Sequence, residues 1–295
     1  MPSSDETDVE LAGAWRWAAL ERERAHRASV AAQRHEAQLG SGPEPLREHH
    51  QRLAATYRGV EARHLSAARI QELQAVRLER WAHGPSQGAL RPAFMAAVAA
   101  MLGMDSALIT LAGREHAQGM VAVSDATARA AHELEFVLGE GPGADAENCG
   151  EILVATGPVL RERWPYYGPA VAELGVRTVV AMPLALPTVR LGTLCAFDSR
   201  PDLAEDITGS VSRIADALTH TVLLTPEPDG LPDLPLFAEG DFQAVVHQAV
   251  GMVSVQCDCT LDDALAMLRA RAFVADQPIT TIAAGILAGT IRLAP

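Results

Sequence analysis

An α+β fold with helical extensions at both ends is predicted by three observations. Residues 1–85 read as helix-forming sequence interrupted once, at Gly40-Ser41-Gly42-Pro43. The middle of the chain mixes helical runs with β-branched runs close enough to pair as hairpins. Residues 236–295 hold three helical runs with apolar faces and no strand signal.

The elements follow in order. Asp8 to Gln38 is rich in Ala, Arg and Glu and has no proline, which predicts a long helix. A second is predicted from Glu44 to Ala82, with Leu46, Leu53 and Val60 seven apart and Tyr57, His64 and Leu78 on the adjoining stripe. Together they make a helical hairpin with an imperfect coiled-coil seam, the heptad decaying at Gln71 and Gln74. Such a hairpin either packs on its own chain or pairs two subunits, and a homodimer is the expected assembly. The histidines His49, His50, His64 and His83 lack a Cys or carboxylate at a metal-binding spacing, so they read as solvated side chains.

A boundary follows at Gly84-Pro85-Ser86-Gln87-Gly88. In the middle region, helices are predicted over Leu90–Leu102, Ala126–Val137 and Leu203–Leu224. Strands are predicted over Ala107–Leu111, Gly119–Val123, Ile152–Ala155, Arg177–Leu186 and Arg190–Asp198, the last two joined by a turn at Pro187-Thr188. Four prolines between Thr225 and Pro235 then make a semi-rigid acidic linker. In the final region Val245, Val246, Ala249, Met252 and Val253 share one helical face. Thr260 with Asp263 resembles a capping box that opens a second helix, whose stripe is Leu261, Ala264, Leu265, Leu268, Ala272 and Phe273. Asp276-Gln277-Pro278 ends that helix, and a third begins near Thr280.

Charge narrows the function. All 24 basic residues are arginine, and the net charge is −13. Residues 1–90 balance 12 Arg with 12 acids, so the excess of acid lies entirely in the remainder. A nonspecific polyanion binder needs the opposite sign, so DNA is not an expected partner and any nucleic-acid contact must be local. The polar N-terminus and the lack of a long uncharged apolar run predict a cytoplasmic protein without a membrane partner. The four cysteines contain no CxxC pair and read as reduced, buried thiols. No nucleophile-and-base motif, metal-ligand cluster or phosphate loop is legible, so an enzyme is not expected, and no resident cofactor or metal is predicted.

The stretch ATARAAHELEFVLGEGPGADA, from Ala126 to Ala146, followed by VRTVVAMPLAL and RLGTLCAFDSRP, resembles the GAF domain, a small-molecule-sensing relative of PAS domains. That resemblance implies a GAF-like α/β sandwich with an antiparallel sheet over residues 89–224, and a ligand of unknown identity. Many relatives carry a cysteine after the GEGP, where this chain has Gly143. Trp164, Tyr166 and Tyr167 cluster in a chain only 4 % aromatic. With Arg177 nearby in sequence they could stack on and pair with an anionic ligand, or they could simply seal the core.

The last region resembles the ANTAR domain, an RNA-binding antiterminator module of bacterial regulators. The family's Gln-Ala-x-Gly pattern matches Gln248, Ala249 and Gly251; its second-helix residues match Ala264, Leu268, Arg269 and Ala272, and its third-helix alanine matches Ala283. This implies that a three-helix ANTAR-like bundle over residues 236–295 binds paired small-loop hairpins in nascent RNA and prevents transcription termination. Gln248, Gly251, Arg269, Arg271 and Arg292 are the candidate RNA-binding residues. Gly251 costs a helix about 1 kcal/mol against alanine, which a close approach by another helix or by RNA would offset. An alternative remains: Val250 stands where many relatives carry Lys or Thr, and acids outnumber bases from Asp233 onward. Both favour a signalling scaffold whose bundle docks protein instead of RNA.

Overall fold

The computed structural model describes residues 4–40, 43–84, 91–111, 120–202, 206–223 and 242–293. The expected linker over 225–235 lies outside the described residues. By contact, the chain divides into two compact units, Met1–Leu102 with Asp206–Leu234, and Gly103–Glu205 with Pro235–Pro295.

The first unit is helical. Helices α1 (Ser4–Glu36) and α2 (Glu44–His83) form an antiparallel hairpin joined by α3 (Phe94–Leu102) and α8 (Ile207–Ala217), the last running on into a π-helical turn at Leu218–Leu223. The seam of the hairpin is finer than the leucine spacing suggests. On α1 the buried positions Ala14, Ala18, Glu21, Ala25, Ala28 and Ala32 alternate four and three apart, a heptad written in alanine. On α2 the matching positions run through His64, Ala68, Gln71, Ala75 and Leu78, which takes in His64 and Leu78 of the expected adjoining stripe. Leu46 is instead exposed. Gln71 and Gln74 are buried, and Gln74 donates from Nε2 to the Pro92 carbonyl at 3.2 Å. His64 is not solvated: its Nδ1 lies 2.5 Å from the buried Glu21 carboxylate, which also holds Arg24.

The second unit is built on a five-stranded antiparallel sheet in the order β2-β1-β5-β4-β3, from β1 (Ser106–Leu111), β2 (Met120–Val123), β3 (Leu153–Thr156), β4 (Thr178–Leu186) and β5 (Val189–Asp198). At Gly192, φ is +150° and an added Cβ would lie 1.8 Å from the Thr110 carbonyl oxygen, so β1 and β5 can close only over glycine there. One core joins Leu108, Val179 and Phe197 of the sheet to helices α4 (Ala126–Leu138), α5 (Pro142–Cys149), α6 (Pro158–Arg163) and α7 (Tyr167–Glu173). Asp125 caps α4 by accepting from the Ala128 N–H at 2.9 Å, and Gly139 ends it in the left-handed conformation.

The three C-terminal helices are α9 (Phe242–Cys257), α10 (Leu261–Ala275) and α11 (Ile279–Leu287). They bury Val246, Ala249, Val250, Val253, Ala264, Leu268, Ile282, Ala283 and Ile286 in a core of their own. Thr260 caps α10 in the expected place, accepting from the Asp263 N–H at 3.1 Å while its hydroxyl donates to the Asp263 carboxylate at 2.7 Å. Two members of the expected α10 stripe lie outside this core: Leu261 and Phe273 are exposed. Among the described residues, no helix is long and apolar enough to cross a membrane.

Candidate functional site

The site begins with α9. Gln248 is exposed, and Gly251, one turn later, lies beside it on the helix surface. An added Cβ at Gly251 would meet nothing within 4 Å. Ala249 supplies the close helix packing expected of this region, being fully buried in the bundle core. Among the described residues, none fills the place that a side chain at Gly251 would take. Val250 is buried in that core, so a lysine there could not keep its charge in water without leaving the bundle interior.

The arginines separate. Two residues apart on α10, Arg269 and Arg271 face different ways. Arg271 is exposed, as is Arg292 after α11. The Arg269 guanidinium instead lies 4.5 Å from the ring centroid of Phe136 on α4, and its buried Nε has no hydrogen-bond partner. Burial lowers its pKa, and the ring face partly replaces the lost water. Phe136 and Val137 pack on the core of the three-helix bundle. A second tie reaches α4 from the next helix: Thr280 Oγ1 of α11 donates to Glu133 Oε1 of α4 at 3.0 Å.

Beside these contacts lies a groove of about 560 Å³ between α4 and α7 on one side and α10 and the start of α11 on the other. Its lining is mostly apolar. Tyr166 and Phe273 both line it and are 69 % and 65 % exposed overall.

The expected aromatic pocket is divided. Trp164 and Tyr167 are buried together, ring edge to ring face with centroids 6.1 Å apart, while Tyr166 turns outward to the groove. Trp164 donates from Nε1 to Asp145 at 3.2 Å, and Arg163 pairs with the same carboxylate. The exposed Arg177 reaches the Ala172 carbonyl, so none of its contacts joins the rings.

Behind Tyr167 lies a polar cluster that periodicity cannot reveal. The Glu135 carboxylate accepts from the Ala144 N–H at 2.7 Å at the start of α5, and burial pushes its pKa up to about 7. Gly143 packs against it, since an added Cβ would lie 3.1 Å from Glu135 and 3.3 Å from Cys195 Sγ. Tyr167 has a buried hydroxyl without a hydrogen-bond partner. Glu140 of the GEGPG stretch accepts from the backbone N–H groups of Tyr166 and Tyr167 at 2.6 and 2.8 Å, tying that stretch to the start of α7. Cys195 is buried as expected, whereas Cys149 is exposed because it ends α5 at the surface.

Residues 90–222 match the family model of the GAF domain. A GAF-like signal-sensing domain is present. The sheet and the helices α4 to α7 lie within the matched span of this GAF-like domain, whereas α9 to α11 lie beyond it. Solved structures to which the chain is similar include a domain of a two-component sensor histidine kinase protein from Sinorhizobium meliloti 1021, at 20 % identity and a TM-score of 0.33, covering 44 % of this chain and 85 % of that one. Another is Escherichia coli SdiA, at 12 % identity and a TM-score of 0.33, covering 75 % and 99 %. No curated protein matches the chain.

Proposed function

We propose that the protein is a signal-responsive RNA-binding regulator, in which the GAF-like domain receives a signal and the ANTAR-like helices α9 to α11 bind paired small-loop hairpins in nascent RNA to prevent termination. The observation that carries this reading is the open space over Gly251. A mid-helix glycine costs about 1 kcal/mol relative to alanine, and no part of the described chain occupies the space that the missing side chain leaves. An RNA backbone or base drawn against α9 at that point would offset the cost. Gln248, one turn away, can both donate to and accept from a base edge there. Arg271 and Arg292 are free of bulk and exposed, suited to phosphate or to stacking on an unpaired base. Few cations suffice when loop bases are already splayed out, which reconciles RNA recognition with an acidic chain.

The test is a binding titration of the full chain with a two-hairpin RNA, for wild type, Gly251→Ala and Arg269→Ala with Arg271→Ala. RNA binding that weakens at least tenfold in both variants supports the reading. Indifference of RNA binding to both substitutions, or no binding by wild type, favours the protein-docking scaffold.

A further inference from the structure

We propose that the groove between α4, α7, α10 and α11 is a binding site for an organic cation with an apolar body, and that its occupant holds the three-helix bundle on the GAF-like domain. The second half rests on no RNA contact, but its regulatory meaning rests on the RNA-binding reading above.

Size and lining set the class of ligand. A volume of about 560 Å³ falls in the range of about 300–1,000 Å³ usual for small-molecule pockets. Three carboxylates, Glu133, Glu173 and Asp276, stand among mostly apolar side chains, and among the described residues no basic one lines the groove, although Arg129 acts on Glu133 from nearby. An anionic ligand would find no cationic partner there. The backbone adds field of the same sign. Lining residues Val137 and Leu138 end α4, Glu173 ends α7, and Ala272 and Phe273 lie in the last turn of α10, so three helix C-termini meet at the groove against two N-termini, that of the short α7, capped at Tyr166, and that of α11. None of those three last turns carries a basic side chain to offset its partial negative charge. Tyr166 and Phe273, both largely exposed, offer ring faces for a cation and apolar surface for its body.

Position sets the consequence. One wall belongs to α4 and α7 and the other to α10 and α11, so a ligand touching both binds the docked arrangement more tightly than a parted one. Docking is also what keeps Arg269 on Phe136. The cation therefore withholds Arg269 from RNA, and its release frees it.

The experiment uses the full chain and three probes of similar shape: 2-phenylethylammonium, neutral 2-phenylethanol and anionic phenylacetate. Calorimetry is expected to give submillimolar binding for the ammonium, at least tenfold tighter than for the other two. Phe273→Ala with Glu173→Gln, both at exposed positions, should weaken it at least fivefold. Amide hydrogen exchange along α10 should slow when the ammonium is bound, and affinity for the two-hairpin RNA should fall at least threefold. Equal binding of all three probes, or an unchanged affinity in the double variant, overturns the site. Ammonium binding with no slowing along α10 overturns the docking consequence. If RNA binds under no condition while calorimetry and exchange behave as stated, the cation site stands and the RNA reading falls.

Discussion

Gly192 in the sheet and Gly251 in α9 are both glycines inside regular elements, and their surroundings differ completely. At Gly192 the neighbouring strand fills the place of a side chain, so the fold itself demands glycine. At Gly251 no described residue occupies that space, so alanine fits there and should be the more stable choice. A residue that the chain's own packing does not require is best explained by something outside the chain. The contrast separates a glycine of the GAF-like domain that serves the closure of its own sheet from a glycine of the C-terminal helices that no described neighbour requires.

The sharpest way to break the contrast is Gly192→Ala. A Cβ 1.8 Å from a carbonyl oxygen, on a backbone with φ near +150°, should destabilise the protein by about 3 kcal/mol or more, read from denaturant unfolding. Next comes Glu135→Gln. Its folded-state pKa of about 7 exceeds the ordinary 4.5, so the contribution of this carboxyl is fully present below pH 4.5 and is lost as pH rises through 7. The stability difference between wild type and Glu135→Gln should shift against wild type by about 3 kcal/mol at most across that window. His132, pushed down to about 4 by burial, acts in the opposite sense and costs stability as pH falls from 6.5 through 4.

Phe136→Ala tests the tie between α4 and the bundle. Removing a partly buried ring that supports both Arg269 and the bundle core should cost about 2 kcal/mol and speed hydrogen exchange along α10. The smallest effect is the most telling. Gly251→Ala should raise stability by about 1 kcal/mol, seen as a rise in Tm, while weakening RNA binding. A loss of stability there would mean that the space over α9 is not open, and the contrast with Gly192 would disappear.

Much of the architecture was legible because its signals are local. The long helices, the β4–β5 hairpin, the Thr260 cap and the break at Pro278 each depend on residues a few positions apart. The short helices α5 to α7 were not among the predicted elements, because each is too short for a periodic signal and the starts of α5 and α7 are held by distant carboxylates, Glu135 and Glu140. Of the hairpin seam, His64 and Leu78 were legible and the alanine positions were not, since alanine carries little hydropathy signal. Of the candidate site, Gln248 and Gly251 were named through the resemblance to the ANTAR pattern. The fate of Arg269 was not, because nothing within α10 refers to Phe136.

Composition, periodicity and motif spacing were enough to establish the α+β class, the helical ends and the acidic balance, since each is a property of neighbouring residues or of the chain summed as a whole. Which arginine is covered, which tyrosine faces outward, where three helix ends converge and whether a glycine has a neighbour were decided only by packing. Those features join residues more than a hundred positions apart, as Glu133 and Thr280 are, and short-range pattern carries no record of such meetings.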